Sequence, residues 1–204
     1  MQLKDDLYLY DIERDTLEKI SHQDYFSYSF ADFIDDNIIF IGSDMAKYGI
    51  NENRKIFIMD RNRKVKELLA PELDLSLWNS VGTDCRFGSS SQIKLEGDYL
   101  YFITTEYGNA YINRIDMEGN FERLTRVNGS VDGFDVHDGN IIFVGFRGLK
   151  LQELYELKDG EEVQISGFNE WIIKERKLSS PERLTFNTRE GITIEGWVMK
   201  PVDF

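Results

Sequence analysis

Two histidines and one cysteine stand out among the 204 residues as groups that could carry nucleophilic chemistry. A thiol or hydroxyl attacks only when a base takes its proton and a third group orients that base. Cys85 is the single cysteine, and nothing in the sequence sets His22 or His137 beside it, so it reads as structural. A serine nucleophile needs the Gly-x-Ser-x-Gly elbow, whose strained turn exposes the hydroxyl. The nearest stretch, Gly88-Ser89-Ser90-Ser91-Gln92, has Gln92 where the second glycine belongs. No catalytic residue is assigned.

Asp132, Asp135 and Asp138 lie close together, but their spacing is wrong for a calcium loop, which alternates ligands around a fixed glycine. They read as a solvated acidic turn. His137 and Asp135 share a strand face, yet two ligands do not make a metal site. No metal and no cofactor is assigned. Trp78 and Arg86 fall in the longest stretch without strand character, and long irregular segments are often functional. The plain expectation is that Trp78 packs and Arg86 pairs with a carboxylate. Asn128-Gly129-Ser130 matches a glycosylation sequon by pattern alone.

The elements around these residues repeat. From Gln92 to Arg126 four short runs rich in aromatic and β-branched residues are separated by Glu96-Gly97-Asp98, Tyr107-Gly108-Asn109 and Glu118-Gly119-Asn120. This is an antiparallel meander. Its second run, a polar turn residue followed by apolar residues and Phe, recurs at Asn37–Phe40, Asp98–Phe102 and Asn140–Phe143. A four-stranded unit returning roughly every 40 residues predicts β-propeller blades rather than a generic sandwich. Tyr8, Tyr10, Tyr99 and Tyr101 alternate along runs as residues packed between blades would.

Composition fits a folded chain, with 41% hydrophobic and 13% aromatic residues. The net charge of −13 argues against nucleic acid and anionic membrane, both of which need a basic surface. Met1–Asp6 lacks the apolar core of a signal peptide, and no run approaches the ~18 apolar residues of a membrane span. A lone cysteine fits a reducing compartment, so the expected location is cytoplasmic.

The chain begins in mid-unit: Asp5–Asp11 and Thr16–Ile20 match third and fourth strands. Complete units follow at about Phe26–Leu69, Gln92–Arg126 and Val131–Ile165, with Pro71–Ser91 as a half-buried crossing. The fold expected is all-β, a partial propeller of about three and a half four-stranded blades. After Ser166 the pattern breaks, and Arg183–Thr188 and Ile192–Met199 form a hairpin around Arg189-Glu190-Gly191. The domains expected are 1–166, blades with the first incomplete, and 167–204, a linker and hairpin.

Pro181-Glu182-Arg183-Leu184-Thr185-Phe186, then Glu190-Gly191-Ile192-Thr193-Ile194-Glu195-Gly196-Trp197, then Lys200-Pro201, resembles the start of the catalytic domain in the prolyl oligopeptidase family of serine peptidases. The acylaminoacyl-peptidase-like branch is the most similar. Glu190-Gly191 stands where Asp-Gly is usual, which leaves the turn intact. The resemblance implies a propeller capping an α/β-hydrolase domain that begins with this hairpin, with the catalytic triad beyond Phe204. It implies that the propeller restricts substrate access, that peptides are the substrates, and that this stretch alone is not an enzyme. The alternative is a stand-alone propeller-like interaction scaffold, which has no need of the lead-in hairpin. An unclosed set of blades leaves apolar faces bare, so a homodimer is expected.

Overall fold

The structure, a computed structural model, describes residues 4–70, 73–83, 85–86 and 92–204. Gly88, Ser89, Ser90 and Ser91 lie outside the described residues, as do Pro71 and Glu72 of the crossing. The architecture is the expected one: nearly all β, in consecutive antiparallel sheets that do not close into a ring.

The half-blade pairs β1 (Tyr8–Asp11) with β2 (Thr16–Lys19). Blade I contains β3 (Ser27–Ile34), β4 (Asn37–Ser43), β5 (Lys55–Met59) and β6 (Val65–Glu67). Blade II contains β7 (Ile93–Glu96), β8 (Tyr99–Glu106), β9 (Asn109–Asp116) and β10 (Phe121–Arg123). Blade III contains β11 (Gly129–His137), β12 (Asn140–Arg147), β13 (Glu153–Lys158) and β14 (Glu161–Gln164). Each four-stranded sheet follows chain order, as a meander must. A short helix, α1 (Glu170–Glu175), lies in the expected linker, and β15 (Glu182–Asn187) pairs with β16 (Thr193–Val198) as expected.

Strand periodicity explains the packing. Successive side chains point to opposite faces, so a central strand buried on both faces reads as a continuous apolar run. On β4, Ile38 and Phe40 join Leu7, Leu9, Ile20 and Phe26 between the half-blade and blade I. Ile39 and Ile41 point the other way, onto Leu100, Phe102 and Ile115 of blade II. Tyr101, Ile103 and Ile112 in turn meet Phe134, Ile141 and Phe143 of blade III. The tyrosine pattern therefore holds only where a neighbouring blade exists. Tyr101 is buried, whereas Tyr8 and Tyr10 are about half exposed, because among the described residues no blade packs against the other face of the half-blade.

The repeat is tighter in space than in sequence, and its phase differs by one residue from the sequence alignment. Hairpin register makes Asn37, Tyr99 and Asn140 equivalent, not Asp98, because each pairs with the last residue of the preceding strand. Bulges at the same place leave Ser29 unpaired in β3 and Asp132 unpaired in β11. Gly42 and Gly145 are also equivalent. A Cβ there would lie 2.5 and 2.3 Å from the carbonyl oxygens of Ser27 and Ser130, so only glycine admits the close approach of the two strands.

Candidate functional edge of the blades

In a meander, alternate connections fall on opposite edges of the sheet. The turns at 35–36, 97–98 and 138–139 join first strands to second, and those at 60–64, 117–120 and 159–160 join third to fourth. All are short and share one edge. Asp60 and Asp116 order their turns in the same way, each Oδ1 accepting backbone amides of the following residues. The remaining connections lie on the other edge: 44–54, 107–108 and 148–152 within blades, and 20–26, 124–128 and the described residues of the crossing between them. Loops of variable length on one edge of a rigid scaffold are where recognition is built.

The loop edge holds a buried polar cluster around the start of β11. Asn79 of the crossing donates to Ser130 Oγ at 2.8 Å, Val131 O at 2.7 Å and Asp132 Oδ1 at 3.0 Å. Arg86 Nη2 lies 2.8 Å from Asp132 Oδ1 and donates to Val81 O at 2.8 Å. Ser130 Oγ donates to Asp132 Oδ1 at 2.6 Å, and Gln152 Nε2 to Asp132 Oδ2 at 2.6 Å. Asn79, Ser130 and Asp132 are all buried. The crossing is anchored on its apolar side as well: Leu73, Leu75 and Leu77 pack into the core between blades I and II, and Val81 into the next.

Asp132 is therefore not part of a solvated acidic turn. The bulge turns it inward, where a buried carboxylate must be paired. Arg86 pairs with a carboxylate as expected. Trp78 does not pack: it is 58% exposed, its carbonyl accepting from Thr105 while the ring stays at the surface. Sequence reasoning missed Asn79, Ser130 and Gln152, because the chain separation of Asn79 from β11 hides their meeting. The signal available was the register: Asp132 occupies the bulge position that Ser29 fills in blade I.

A second buried group closes blade III. Arg147 Nε donates to Glu162 Oε2 at 2.6 Å and Nη1 to Ser130 O at 3.1 Å, with the guanidinium over the Phe143 ring. Glu153, also buried, accepts from the Ser166 hydroxyl, the Phe168 amide at 3.1 Å and the Asn169 amide at 2.7 Å. Burial pushes its carboxyl up, but these donors outweigh it and hold the group below the usual carboxylate range. Glu153 thus fixes the chain on its way to α1.

The structure does not bring a base to a nucleophile through the residues the sequence offered. Cys85 is exposed, His22 bonds Tyr28, and His137 sits on the tight-turn edge. Ser130 is bonded to Asp132, whose charge Arg86 offsets. Asp135 is exposed and pairs with Lys94 rather than with His137. Glu96, His137 and Asp138 do bring ligand atoms within 4.8 Å of one another, across blades II and III. Glu96 Oε1 there already accepts the Asp138 amide at 2.8 Å, so hydrogen bonding alone accounts for the grouping.

The hairpin β15–β16 meets the loop edge. A Cβ on Gly108, in the turn between β8 and β9, would lie 3.0 Å from Trp197 Cη2, and Gly108 has φ +74°. The indole therefore rests on bare backbone. Tyr48, Trp78, Tyr107, Phe168 and Trp171 are other large side chains exposed around these loops and the following segment.

No protein-family model matches the chain. It is 25% identical over 153 residues to the uncharacterized peptidase YuxL of Bacillus subtilis (strain 168), a match covering 72% of this chain and 23% of that one. Acylaminoacyl peptidase of Pyrococcus horikoshii superimposes with a TM-score of 0.72 at 25% identity, over 97% of this chain and 28% of that one. The β-propeller domain of the Trilobed protease from Pyrococcus furiosus gives a TM-score of 0.60 at 23% identity, over 84% of this chain and 46% of that one. The chain thus spans about a quarter of the length of the two peptidases. Among the described residues no helix is long and apolar enough to cross a membrane. Blade repeats, lead-in hairpin and these likenesses are consistent with a β-propeller segment like those of acylaminoacyl-type serine peptidases.

Proposed function

We propose that this chain is the non-catalytic propeller segment of a larger serine peptidase and that its loop edge limits which peptides reach the catalytic domain. Residues 1–166 form the blades, and 167–204 form the linker and the first hairpin of that domain. The observation that carries the reading is Trp197 resting on Gly108, which seats the hairpin on the loop edge. A domain continuing from β16 then lies over this edge, and the exposed aromatic side chains there become its contact surface. The crossing, through its described residues 73–83 and 85–86 and fixed by Asn79 and Arg86, forms part of the wall that a peptide passes. Rigidity matters in such a role, because a wall that yields excludes nothing.

Peptides are the substrates in this reading, and the acidic surface gives no purchase to nucleic acid. A cytoplasmic location and a homodimer joined through bare blade faces belong to the same reading. The experiment compares the full-length protein with a form lacking the blades, on peptides of increasing length and on a folded protein carrying the same cleavable bond. The reading expects short peptides to be cleaved by the intact protein and longer substrates to gain ground when the blades are removed. Equal length preference in the two forms, or a full-length protein with no serine nucleophile elbow, refutes it. The second outcome would favour the interaction scaffold.

A further inference from the structure

A cavity of about 330 Å³ opens at the loop edge of blade I, beside the connection that leads into it, lined by His22, Phe26, Asp44, Lys47, Lys55 and Phe57 among others. Small-molecule sites begin at roughly this size. Its polar character is set by one relationship. The His22 backbone amide donates to Tyr28 Oη at 3.3 Å, and His22 Nδ1 lies 2.9 Å from the same oxygen. The phenol oxygen accepts from the amide and has its own proton to give; given to Nδ1, it makes that nitrogen an acceptor and puts the proton of the neutral ring on Nε2, the tautomer the inference requires.

The ring's surroundings disfavour its charged form. Its centroid lies 4.5 Å from that of Phe26, 5.2 Å from Phe40 and 6.0 Å from Phe57, and burial pushes its pKa down. Among the described residues nothing accepts a hydrogen bond from Nε2. The charges farther in are already paired. Lys55 Nζ is 2.9 Å from Glu67 Oε1, and Glu52 accepts the Lys47 and Tyr48 amides at 2.8 and 3.1 Å. An ion would have to break these pairs. What the cavity offers without cost is an N–H donor beside aromatic surface.

We propose that this cavity binds an uncharged amide bearing an aromatic group, its carbonyl accepting from His22 Nε2–H and its ring lying against Phe57. An aromatic residue in the interior of an extended peptide presents that combination, whereas a free amino acid brings two charges that only Asp44 and Lys47 in the lining could meet, and both are solvent-exposed, where ion pairing is worth little. The inference goes beyond the gating role and does not need it, because binding to the 204-residue chain alone is the measurement.

The chain has only two histidines, so nitrogen-correlated NMR resolves both rings. His22 is expected as the Nε2–H tautomer. Titration with N-acetylphenylalanine amide is expected to shift the His22 ring saturably and to leave exposed His137 unmoved. Phenylalanine itself is expected to bind more weakly, and His22→Phe to bind the amide roughly fivefold more weakly, the size of one neutral hydrogen bond. An Nδ1–H tautomer, a His22 ring that does not respond at millimolar amide, or equal binding of free phenylalanine overturns the proposal. The tautomer and the titration are read on the native chain, so they decide the matter even if His22→Phe fails to fold.

Discussion

Asp132, the residue that the β11 bulge leaves without a ladder partner, has its Oδ1 2.8 Å from the guanidinium of Arg86, 46 positions earlier (132 − 86). One carboxylate therefore ties the irregular crossing, which leads into blade II, to the first strand of blade III. Asp132→Ala would leave Arg86 and Asn79 without that acceptor. The expected loss is about 2–3 kcal/mol, at the low end for a broken buried pair because Arg86 keeps some contact with water. Urea unfolding checks this, and a midpoint equal to wild type would mean the cluster adds no net stability.

Glu153 makes stability depend on acid. Its folded pKa is depressed, so its contribution is present above the unfolded value of about 4.3 and disappears as pH falls through the lower folded value. Amide exchange at Phe168 and Asn169 should accelerate across that window. Glu153→Gln should remove this step from the profile while weakening the segment at neutral pH.

Trp197 anchors a hairpin that otherwise has little support: every residue of β15 is exposed. An isolated two-stranded hairpin is marginal in water. Trp197→Ala is expected to raise amide exchange in β15 and β16 by at least about tenfold while sparing β8 and β9. Unchanged exchange would show that the indole contact holds nothing.

Blade III leaves its far face open, with Ile142, Val163 and Ile165 each more than 40% exposed. The hairpin does not cover it; Trp197 meets blade II instead. Contiguous apolar patches beyond roughly 300–600 Å² are uncommon on monomers. A two-fold dimer is expected by light scattering, with Ile142→Asp shifting it toward monomer. A stable mass of 23.9 kDa on dilution would end the idea.

The chain by itself is expected to be inert toward acyl-aminoacyl and prolyl chromogenic substrates and to a fluorophosphonate probe. The reason is the absent Gly-x-Ser-x-Gly elbow. Covalent labelling of any serine would contradict it.

The blades were legible from sequence because strand, turn and face are local properties. Period-two alternation assigns Phe40 and Ile41 to opposite faces before any neighbour is known, and the copies at Asn37 and Asn140 announce a repeat. The lead-in hairpin was legible for the same reason, since β15 and β16 are neighbours in the chain. The polar cluster was not. Asn79, Arg86, Ser130, Asp132 and Gln152 are spread over 74 positions (152 − 79 + 1) and meet only because blades II and III stack and a bulge rotates one carboxylate inward. Sequence alone marks Asp132 as one more surface acid among 37 acidic residues. Its burial, like the exposure of Trp78 and the seat of Trp197 on Gly108, depends on which surfaces a neighbouring blade covers, and only the tertiary arrangement decides that.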